Sequence, residues 1–225
     1  MFDVNPPKHH IQKHILNVLT YTEYARFRDL RPPKVDTNLY SYHLNSLIKS
    51  DWINKSELGY TLSKKGLVYV DRISSKKLNF RTQSKIITML VLQNNQDEIL
   101  LQKRVKQPYI NTWTLPYGKT HIEDKSTLQA AKREALEKLN LNINESQLKH
   151  VGDCYIRVFS KDLVQSSTLA HIFHTKTIKN FEEENTQWIS SDNLTDLNLA
   201  PAVENIINKA LSNRPPILDE FNVRN

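Results

Sequence analysis

The residues best suited to chemistry are two carboxylates in the middle of the chain. Glu134 and Glu137 are three residues apart in a segment whose apolar residues have helical spacing, so both lie on one face of a helix over about 127–139. Carboxylate oxygens grouped in this way can hold Mg²⁺, a hard ion that commonly bridges to substrate phosphates. An ordinary solvated face, on which Lys132 and Lys138 pair with the glutamates, explains the same pattern, and the helix alone favours that interpretation.

The sequence around this helix shifts the interpretation from a solvated face towards a metal-binding helix. The segments WTLPYGK and AAKREALEKLNL resemble the Nudix box, which has a glycine, a glutamate after five intervening residues, and an Arg-Glu-Val/Leu-x-Glu-Glu-x-Gly helix. The order of the expected strands and the late WIS and APAVENII segments are also similar to that family, over residues 81–213. The resemblance implies an α/β fold, namely an α/β/α sandwich with a mixed sheet. It also implies Mg²⁺ or Mn²⁺ at the box helix, and a ligand of the nucleoside diphosphate type that water attacks at phosphorus.

The resemblance also assigns roles to individual residues. Gly118 matches the box glycine, Arg133 matches the arginine that orients the glutamates, and Glu134 and Glu137 match catalytic, metal-binding glutamates. A metal held there would neutralise the developing pyrophosphate charge and lower the pKa of the attacking water. Arg104 is a further candidate to contact ligand phosphate, because a guanidinium offers two donors to a phosphate, although a surface role is equally open.

Several box positions depart from the family pattern. Lys138 stands where the family has its second paired glutamate, which removes a ligand, adds positive charge and should weaken divalent-metal binding. Lys125 stands where the loop glutamate is expected, and the loop is one residue longer, so Glu123 and Asp124 are the candidates to supply that metal-binding carboxylate. Asn140 replaces the closing glycine, but asparagine tolerates the left-handed conformation needed there.

The region before the box domain has a different organisation. Apolar spacing and capping residues predict three helices, a hairpin and a last helix, at about residues 11–19, 27–30, 37–50, 52–62 and 64–73. The third helix is expected to turn its apolar side chains inward: Leu39, Leu44, Leu47 and Ile48. The segment YHLNSLIKSDWINKSELGYTLSKKG resembles the core of bacterial winged helix-turn-helix domains, in which the third helix enters the DNA major groove and the hairpin contacts the backbone.

That resemblance makes polar residues on the third helix and the hairpin candidates to bind double-stranded DNA: Lys34, Asn38, Tyr40, Ser41, His43 and Asn45 near the helix, and Lys55 and Lys64 near the hairpin. Residues 1–80 contain 13 Lys and Arg against 7 Asp and Glu, whereas residues 81–225 contain 18 against 17, so most of the net charge of +7 lies in the first part. Basic surfaces attract phosphate backbones. Winged helices also serve as protein-binding modules, and that alternative stays open. Tyr42 and Trp52 are expected in the core.

Composition sets the domain boundaries and excludes some classes of protein. A polar, basic stretch predicts a winged-helix domain over 1–75, a linker over 76–84, a Nudix domain over 85–213 and a tail over 214–225. We expect no membrane span or secretory signal. Cys154 is the only cysteine, which excludes an internal disulfide and fits a reducing cytoplasm. His171 and His174 point to opposite faces of a predicted strand, which argues against a metal shared by these two.

Three functional hypotheses remain open. The first is a ligand-responsive transcriptional regulator, plausibly a homodimer, because winged-helix operators usually have two half-sites. The two-domain arrangement resembles winged-helix/Nudix proteins of small-genome bacteria of the candidate phyla type, and regulators whose Nudix domain senses a nucleotide derived from NAD. The second is an active Mg²⁺-dependent pyrophosphohydrolase of a nucleoside diphosphate derivative. The third is a protein-interaction scaffold.

Overall fold

The chain divides into two units, Met1–Thr82 and Gln83–Asn225. The computed structural model describes residues 7–71, 83–176, 183–212 and 216–224. Most of the expected linker, residues 76–82, lies outside the described residues. No helix among the described ranges is long and apolar enough to cross a membrane.

The N-terminal unit has the element order of a winged helix without its second helix. Its elements are α1 (His10–Thr20), α2 (Thr37–Lys49), β1 (Ile53–Ser56), β2 (Gly59–Leu62) and α3 (Lys64–Val70). The carboxylate of Asp36 begins α2 by accepting hydrogen bonds from the backbone N–H groups of Asn38 and Leu39. One face of α1 and one face of α2 bury their apolar side chains in a common core with Trp52 of the hairpin region.

The predicted helix around Phe27 and Leu30 is wrong, because these residues form turns. Just before them, Ala25 exchanges backbone hydrogen bonds of 3.0 and 2.9 Å with Tyr60 of β2. This pairing takes up backbone groups that a helix would use, and it requires a close approach at Gly59, where a Cβ atom would lie 2.6 Å from the Ala25 carbonyl oxygen. In place of the predicted helix, the chain therefore pairs one residue, Ala25, with the hairpin.

Two predictions for the sides of α2 are also wrong. Leu39 and Tyr42 were expected in the core, but they are 47% and 68% exposed, whereas Leu44 and Leu47 are buried as predicted. Tyr40 and His43 were expected to face DNA, but both are buried. Tyr40 donates its hydroxyl hydrogen bond to the Phe27 carbonyl oxygen, which fixes the turn beneath α2.

The second unit is an α/β/α sandwich. Its elements are β3 (Lys85–Gln93), β4 (Ile99–Lys103), β5 (Trp113–Thr114), β6 (Tyr117–Lys119), α4 (Thr127–Leu139), β7 (Lys149–Ser160), β8 (Leu163–Lys176), β9 (Thr186–Ile189), α5 (Val203–Leu211) and β10 (Ile217–Arg224). The mixed sheet has the strand order β10-β7-β8-β3-β4-β5, with β6 paired to β3 and β9 paired to β4. The two helices cover opposite faces, since α4 packs in one core cluster and α5 in the other. The predicted fold class is confirmed.

The chain end departs from the prediction. Residues 217–224, expected to lie in a tail, form β10, which runs parallel to β7 at the edge of the sheet. Phe221 and Val223 are half-buried, while Leu218, Glu220 and Asn222 are exposed. The alternation follows from an edge strand with one face against the domain. The short strands β5 and β6 were also not predicted.

Candidate functional site

The buried carboxylate of Glu134 is the centre of the box region. Helix α4 begins at Ser126, whose side chain accepts from the backbone N–H of Gln129, and ends at Asn140 in the left-handed conformation (φ 48°). This places Glu134, only 5% exposed, directly over Gly118 of β6. A Cβ atom at Gly118 would lie 1.6 Å from the carboxyl carbon of Glu134. Glycine at this position is therefore required by the space that the carboxylate occupies.

Arg133 holds the box loop and helix together. Its Nε and Nη2 donate to both oxygens of Asp124 at 3.0 and 2.9 Å, and Nη1 donates to Glu134 Oε1 at 2.7 Å. Nη2 also donates to the Lys119 carbonyl oxygen at 2.9 Å. These hydrogen bonds lower the pKa of Asp124 to about 2 and raise the pKa of Arg133. Arg133 therefore contacts the box loop and Glu134 at the same time, and its role in orienting the glutamates stays a prediction.

The predicted substitutes for the loop carboxylate do not reach a metal position. Both oxygens of Asp124 are engaged by Arg133, and its side chain is only 8% exposed. Glu123 is exposed and lies outside the lining of the box cavity. Both residues were expected to bind metal. The structure instead makes Asp124 the partner of Arg133, because the loop folds back onto the start of α4.

Lys138 occupies the remaining side of the buried carboxylate. Its Nζ lies 3.1 Å from Glu134 Oε2 and 4.8 Å from the centre of the Tyr117 ring. Both oxygens of Glu134 are thus paired with fixed cations, and Glu137, with a side chain 55% exposed, is the other box carboxylate nearby. A divalent ion at Glu134 would have to displace the ammonium. The arrangement therefore does not fit a resident Mg²⁺ or Mn²⁺ while Lys138 stays in place.

One cavity opens beside this carboxylate and a second adjoins it, and both are lined by Arg104, Thr114, Tyr117 and Lys119. The larger, which we call the box cavity, has a volume of about 510 Å³ and adds Lys103, Lys106, Lys138 and the two glutamates. The smaller, which we call the apolar cavity, has a volume of about 270 Å³ and is lined mainly by apolar and aromatic side chains. A charged ligand group fits the first and an aromatic group the second.

Arg104 lies where the two cavities meet. Its Nε donates to the Pro108 carbonyl oxygen at 2.9 Å, and Nη1 donates to the Tyr117 hydroxyl. The guanidinium carbon is 6.0 and 5.3 Å from the ring centres of Tyr109 and Tyr117, within cation–π range. The structure thus places this sequence-predicted residue at the candidate site, with a charge aimed at both cavities.

Tyr109 is a site residue that the sequence reasoning missed. Burial raises the pKa of its hydroxyl, with a partly opposing effect of the nearby Arg104. The hydroxyl is buried and has no hydrogen-bond partner within the described part of the chain. An unsatisfied buried hydroxyl is costly, and this one belongs to a residue that lines the apolar cavity. No motif marks Tyr109; its place depends on the loop between β4 and β5.

The candidate DNA-binding residues are brought together only in part. Asn38, Ser41 and Asn45 lie on one face of α2, where Asn38 and Asn45 are exposed and Ser41 is half-buried. Tyr42 shares this face and was missed, because its aromatic ring suggested core. Lys34, Lys55 and Lys64 are exposed beside the helix and on the hairpin side. Tyr40 and His43 cannot contact DNA, since His43 is stacked on His9 with ring centres 3.8 Å apart and Tyr40 is fully buried.

Comparison with known proteins covers mainly the second unit. Residues 84–210 match the family model of the NUDIX domain. The NUDIX domain of Shewanella oneidensis NrtR, solved in complex with ADP ribose, is similar with a TM-score of 0.51 and 16% identity, over 64% of this chain and 95% of that chain. At this identity the likeness shows the fold alone. No curated protein matches the chain in sequence.

Two further structures are similar at lower TM-scores. Shewanella oneidensis NrtR complexed with a 27mer DNA has a TM-score of 0.45 and 17% identity, over 56% of this chain and 59% of that chain. The MutT protein from Bacillus halodurans has a TM-score of 0.48 and 21% identity, over 61% of this chain and 89% of that chain. The chain thus spans less than two thirds of the NrtR chain in that complex.

Proposed function

This chain belongs to the Nudix family, and on that basis we propose that it is a ligand-responsive transcriptional regulator. Its Nudix domain binds a nucleoside diphosphate derivative without hydrolysing it, and its winged helix binds double-stranded DNA. For the ligand to control DNA binding, it must bind one DNA-binding state more tightly than another.

The contact between Lys138 and Glu134 carries this proposal. The ammonium lies 3.1 Å from Glu134 Oε2, while Arg133 pairs with Oε1, so the carboxylate is neutralised by the protein itself. A hydrolase of this family needs a divalent ion at such a carboxylate. A ligand-binding protein needs only positive charge for the phosphates, which Lys138 supplies together with the other cations of the box cavity.

The paired cavities support a nucleotide as the ligand class. Cations around the box cavity match a diphosphate, and the apolar cavity with Tyr109 and Tyr117 matches a base or ribose. Arg104 stands between the two parts of such a ligand. ADP-ribose belongs in the test panel because a structure with the same fold was solved with it.

The exposed face of α2 supports DNA as the partner. Asn38, Tyr42 and Asn45 offer amide and aromatic groups of the kind that contact base edges in a major groove. Lys55 and Lys64 are placed for contacts with the phosphate backbone, and the excess positive charge of residues 1–80 favours such contacts. A homodimer would present this face twice, to two half-sites.

The first test measures binding and hydrolysis together. Wild-type protein and Lys138→Glu would be titrated with ADP-ribose, NADH, dinucleoside polyphosphates and nucleoside triphosphates, with and without Mg²⁺ or Mn²⁺. We expect the wild type to bind one of these ligands without metal and without phosphate release. Lys138→Glu restores the second paired glutamate and removes the competing ammonium, so we expect it to bind Mn²⁺ and to gain metal-dependent hydrolysis.

Lys132→Glu is the matched control, since it makes the same charge change on α4 at a position outside the box cavity. Hydrolysis gained equally by both variants would show that net charge, rather than the pairing of Lys138 with Glu134, controls the site. Electrophoretic mobility shifts of wild type on double-stranded DNA, with and without the bound ligand, then test regulation. DNA binding that does not change with the ligand would contradict the proposal.

The second candidate function is an active Mg²⁺-dependent pyrophosphohydrolase. The position of Glu137 favours it, because this carboxylate lines the box cavity and its side chain is 55% exposed, so a metal that arrives with the substrate can replace its 3.3 Å contact with Arg133 Nη1. Metal-dependent hydrolysis by the wild type that Glu137→Gln abolishes would establish this function and overturn the first. Lys138 would then have to move when the metal and substrate bind.

A further inference from the structure

Two histidines and an aspartate meet on the sheet outside the box and apolar cavities. Asp153 Oδ1 lies 2.9 Å from His150 Nε2 and 2.7 Å from His171 Nδ1. One ligand atom from each of the three side chains lies within 4.8 Å of the other two. We call these three residues the His-Asp-His cluster.

A bulge in β7 creates the cluster. His150 and Asp153 are three residues apart, so a regular strand would point them to opposite faces of the sheet. The pairing of β7 with β8 shifts register between His150 and Gly152, which makes Val151 an extra residue. Gly152 has φ 144°, a conformation that residues with side chains rarely adopt. The extra residue turns His150 to the face of Asp153.

The third member comes from the neighbouring strand. His171 of β8 is the direct Cα partner of Asp153, so the two side chains stand next to each other on one face. Phe173, two residues further along β8, packs in the same core cluster as Ala131 of α4. His171 therefore faces the side of the sheet that α4 covers.

The cluster is both ordered and reachable. The side chains of His150, Asp153 and His171 are 47%, 32% and 20% exposed. The ring of His150 lies against Phe173, with centres 5.2 Å apart, and the other two residues are held by strand pairing. A small ion can therefore enter from solvent without opening the core.

We propose that His150, Asp153 and His171 bind a divalent transition-metal ion of the Zn²⁺ class. Two imidazole nitrogens and one carboxylate oxygen suit Zn²⁺, Co²⁺ or Ni²⁺, whereas Mg²⁺ prefers oxygen ligands throughout. Zn²⁺ bonds to such atoms are about 2.0–2.2 Å long, which sets tetrahedral ligand atoms about 3.4 Å apart. The present contacts of 2.7 and 2.9 Å need open only slightly to admit the ion. Three protein ligands leave a coordination position for water or another small ligand.

The metal site is independent of the nucleotide site. None of its three ligands lines the box cavity or the apolar cavity. The opposite faces of His171 and His174 on β8 argue against a metal shared by these two, and the second histidine of the cluster comes from β7. The bulge explains why the chain pattern alone does not reveal the site.

The test uses Co²⁺ as a spectroscopic probe on the full chain. Visible absorption of bound Co²⁺ reports four- or five-coordinate binding, and added Zn²⁺ should displace it, whereas Mg²⁺ should not. We expect one ion per chain. Loss of a direct ligand should weaken binding at least as much as loss of a supporting contact, so Asp153→Asn and His171→Gln should bind about 100-fold more weakly or worse. His150→Gln should do the same, and its exposure makes this variant the safest for folding.

Two histidine variants serve as matched controls. His174→Gln changes the same strand on the opposite face, and His43→Gln changes the histidine stacked on His9 in the other unit. Both should bind Co²⁺ as the wild type does, with circular dichroism confirming that each variant is folded. The proposal is overturned if the wild type binds no Co²⁺. Unchanged binding by folded His150→Gln, or loss of binding in His43→Gln instead, would overturn it as well.

Discussion

The box carboxylate Glu134 and the cluster carboxylate Asp153 lie on the same side of the sheet, but they have opposite kinds of partner. Glu134 is 5% exposed and is paired with the guanidinium of Arg133 and the ammonium of Lys138. Asp153 has a side chain 32% exposed and is shared by two imidazoles. The first carboxylate is thus neutralised by two cationic side chains of its own helix. The second is surrounded by nitrogen atoms that can themselves become metal ligands.

The different partners of the two carboxylates determine where a cation can bind in the domain. A metal at Glu134 would compete with the ammonium of Lys138, which the chain itself supplies. A metal at Asp153 would replace its hydrogen bonds with the rings of His150 and His171, whose nitrogens can bind the same ion. Under the two proposals, the box helix binds ligand phosphates, while β7 and β8 bind a divalent transition-metal ion.

The largest effect on stability should come from a variant that disrupts the packing of the box carboxylate. Gly118→Ala puts a Cβ atom 1.6 Å from the carboxyl carbon of Glu134, so either the strand or the carboxylate must move. We expect a loss of about 3 kcal/mol in the free energy of unfolding, the upper range for overpacking. Urea denaturation of wild type and variant measures this loss.

A double variant checks the cause. Gly118→Ala combined with Glu134→Ala removes the colliding group, so the two changes together should cost less than the sum of the separate costs. Simple additivity would show that the methyl group collides with something other than the carboxylate. The cluster on β7 should bind Co²⁺ normally in folded Gly118→Ala, because it lies outside the box cavity.

A smaller effect on stability should come from Asp124, whose contribution is present at neutral pH and lost in acid. Its pKa is about 2 in the folded protein against an ordinary value of 3.8, because Arg133 donates hydrogen bonds to the charged carboxylate. A lowered folded-state pKa stabilises the protein above the ordinary value and ceases to do so as the pH falls through the folded value. Stability should therefore decline between about pH 4 and pH 2.

The comparison of two asparagine variants tests this assignment. Asp124→Asn should lower stability at neutral pH and flatten its decline in acid, as followed by thermal unfolding across pH. Asp97→Asn is the control, since the ion pair of Asp97 with Lys176 is exposed on both sides and contributes little. An equal decline in acid for wild type and Asp124→Asn would show that other carboxyl groups cause it.

Local patterns predicted the regular elements well. The helix over residues 127–139 has the bounds that the apolar spacing indicates, because caps and periodicity are properties of neighbouring residues. The turn at Phe27 and the strand over 217–224 depend on distant partners, Tyr60 and β7 respectively. The pattern of residues within a segment does not show which distant partner the segment will pair with.

The sequence predicted which residues form the box motif of the candidate site, but it did not predict the contacts that these residues make. Gly118, Arg133 and Glu134 meet as the box resemblance implies. The pairing of Asp124 with Arg133 depends on how the loop folds back. The aromatic walls of the apolar cavity and the His-Asp-His cluster depend on a loop conformation and on one extra residue in β7. Each of these three features depends on tertiary structure, and it involves residue types that also occur at many positions without such a role.

The variant with the smallest expected effect on stability distinguishes most clearly between the sites at Glu134 and Asp153. Gly152→Ala places a side chain at φ 144° and should cost about 1 kcal/mol, the lower range for such backbone strain. If the bulge relaxes, His150 turns away from Asp153, so Co²⁺ affinity should fall while nucleotide binding beside Glu134 is unchanged. Isothermal titration of both ligands with one folded variant measures the two affinities. Equal losses for metal and nucleotide would mean that the two sites are coupled through the sheet, and the contrast between them would then be wrong.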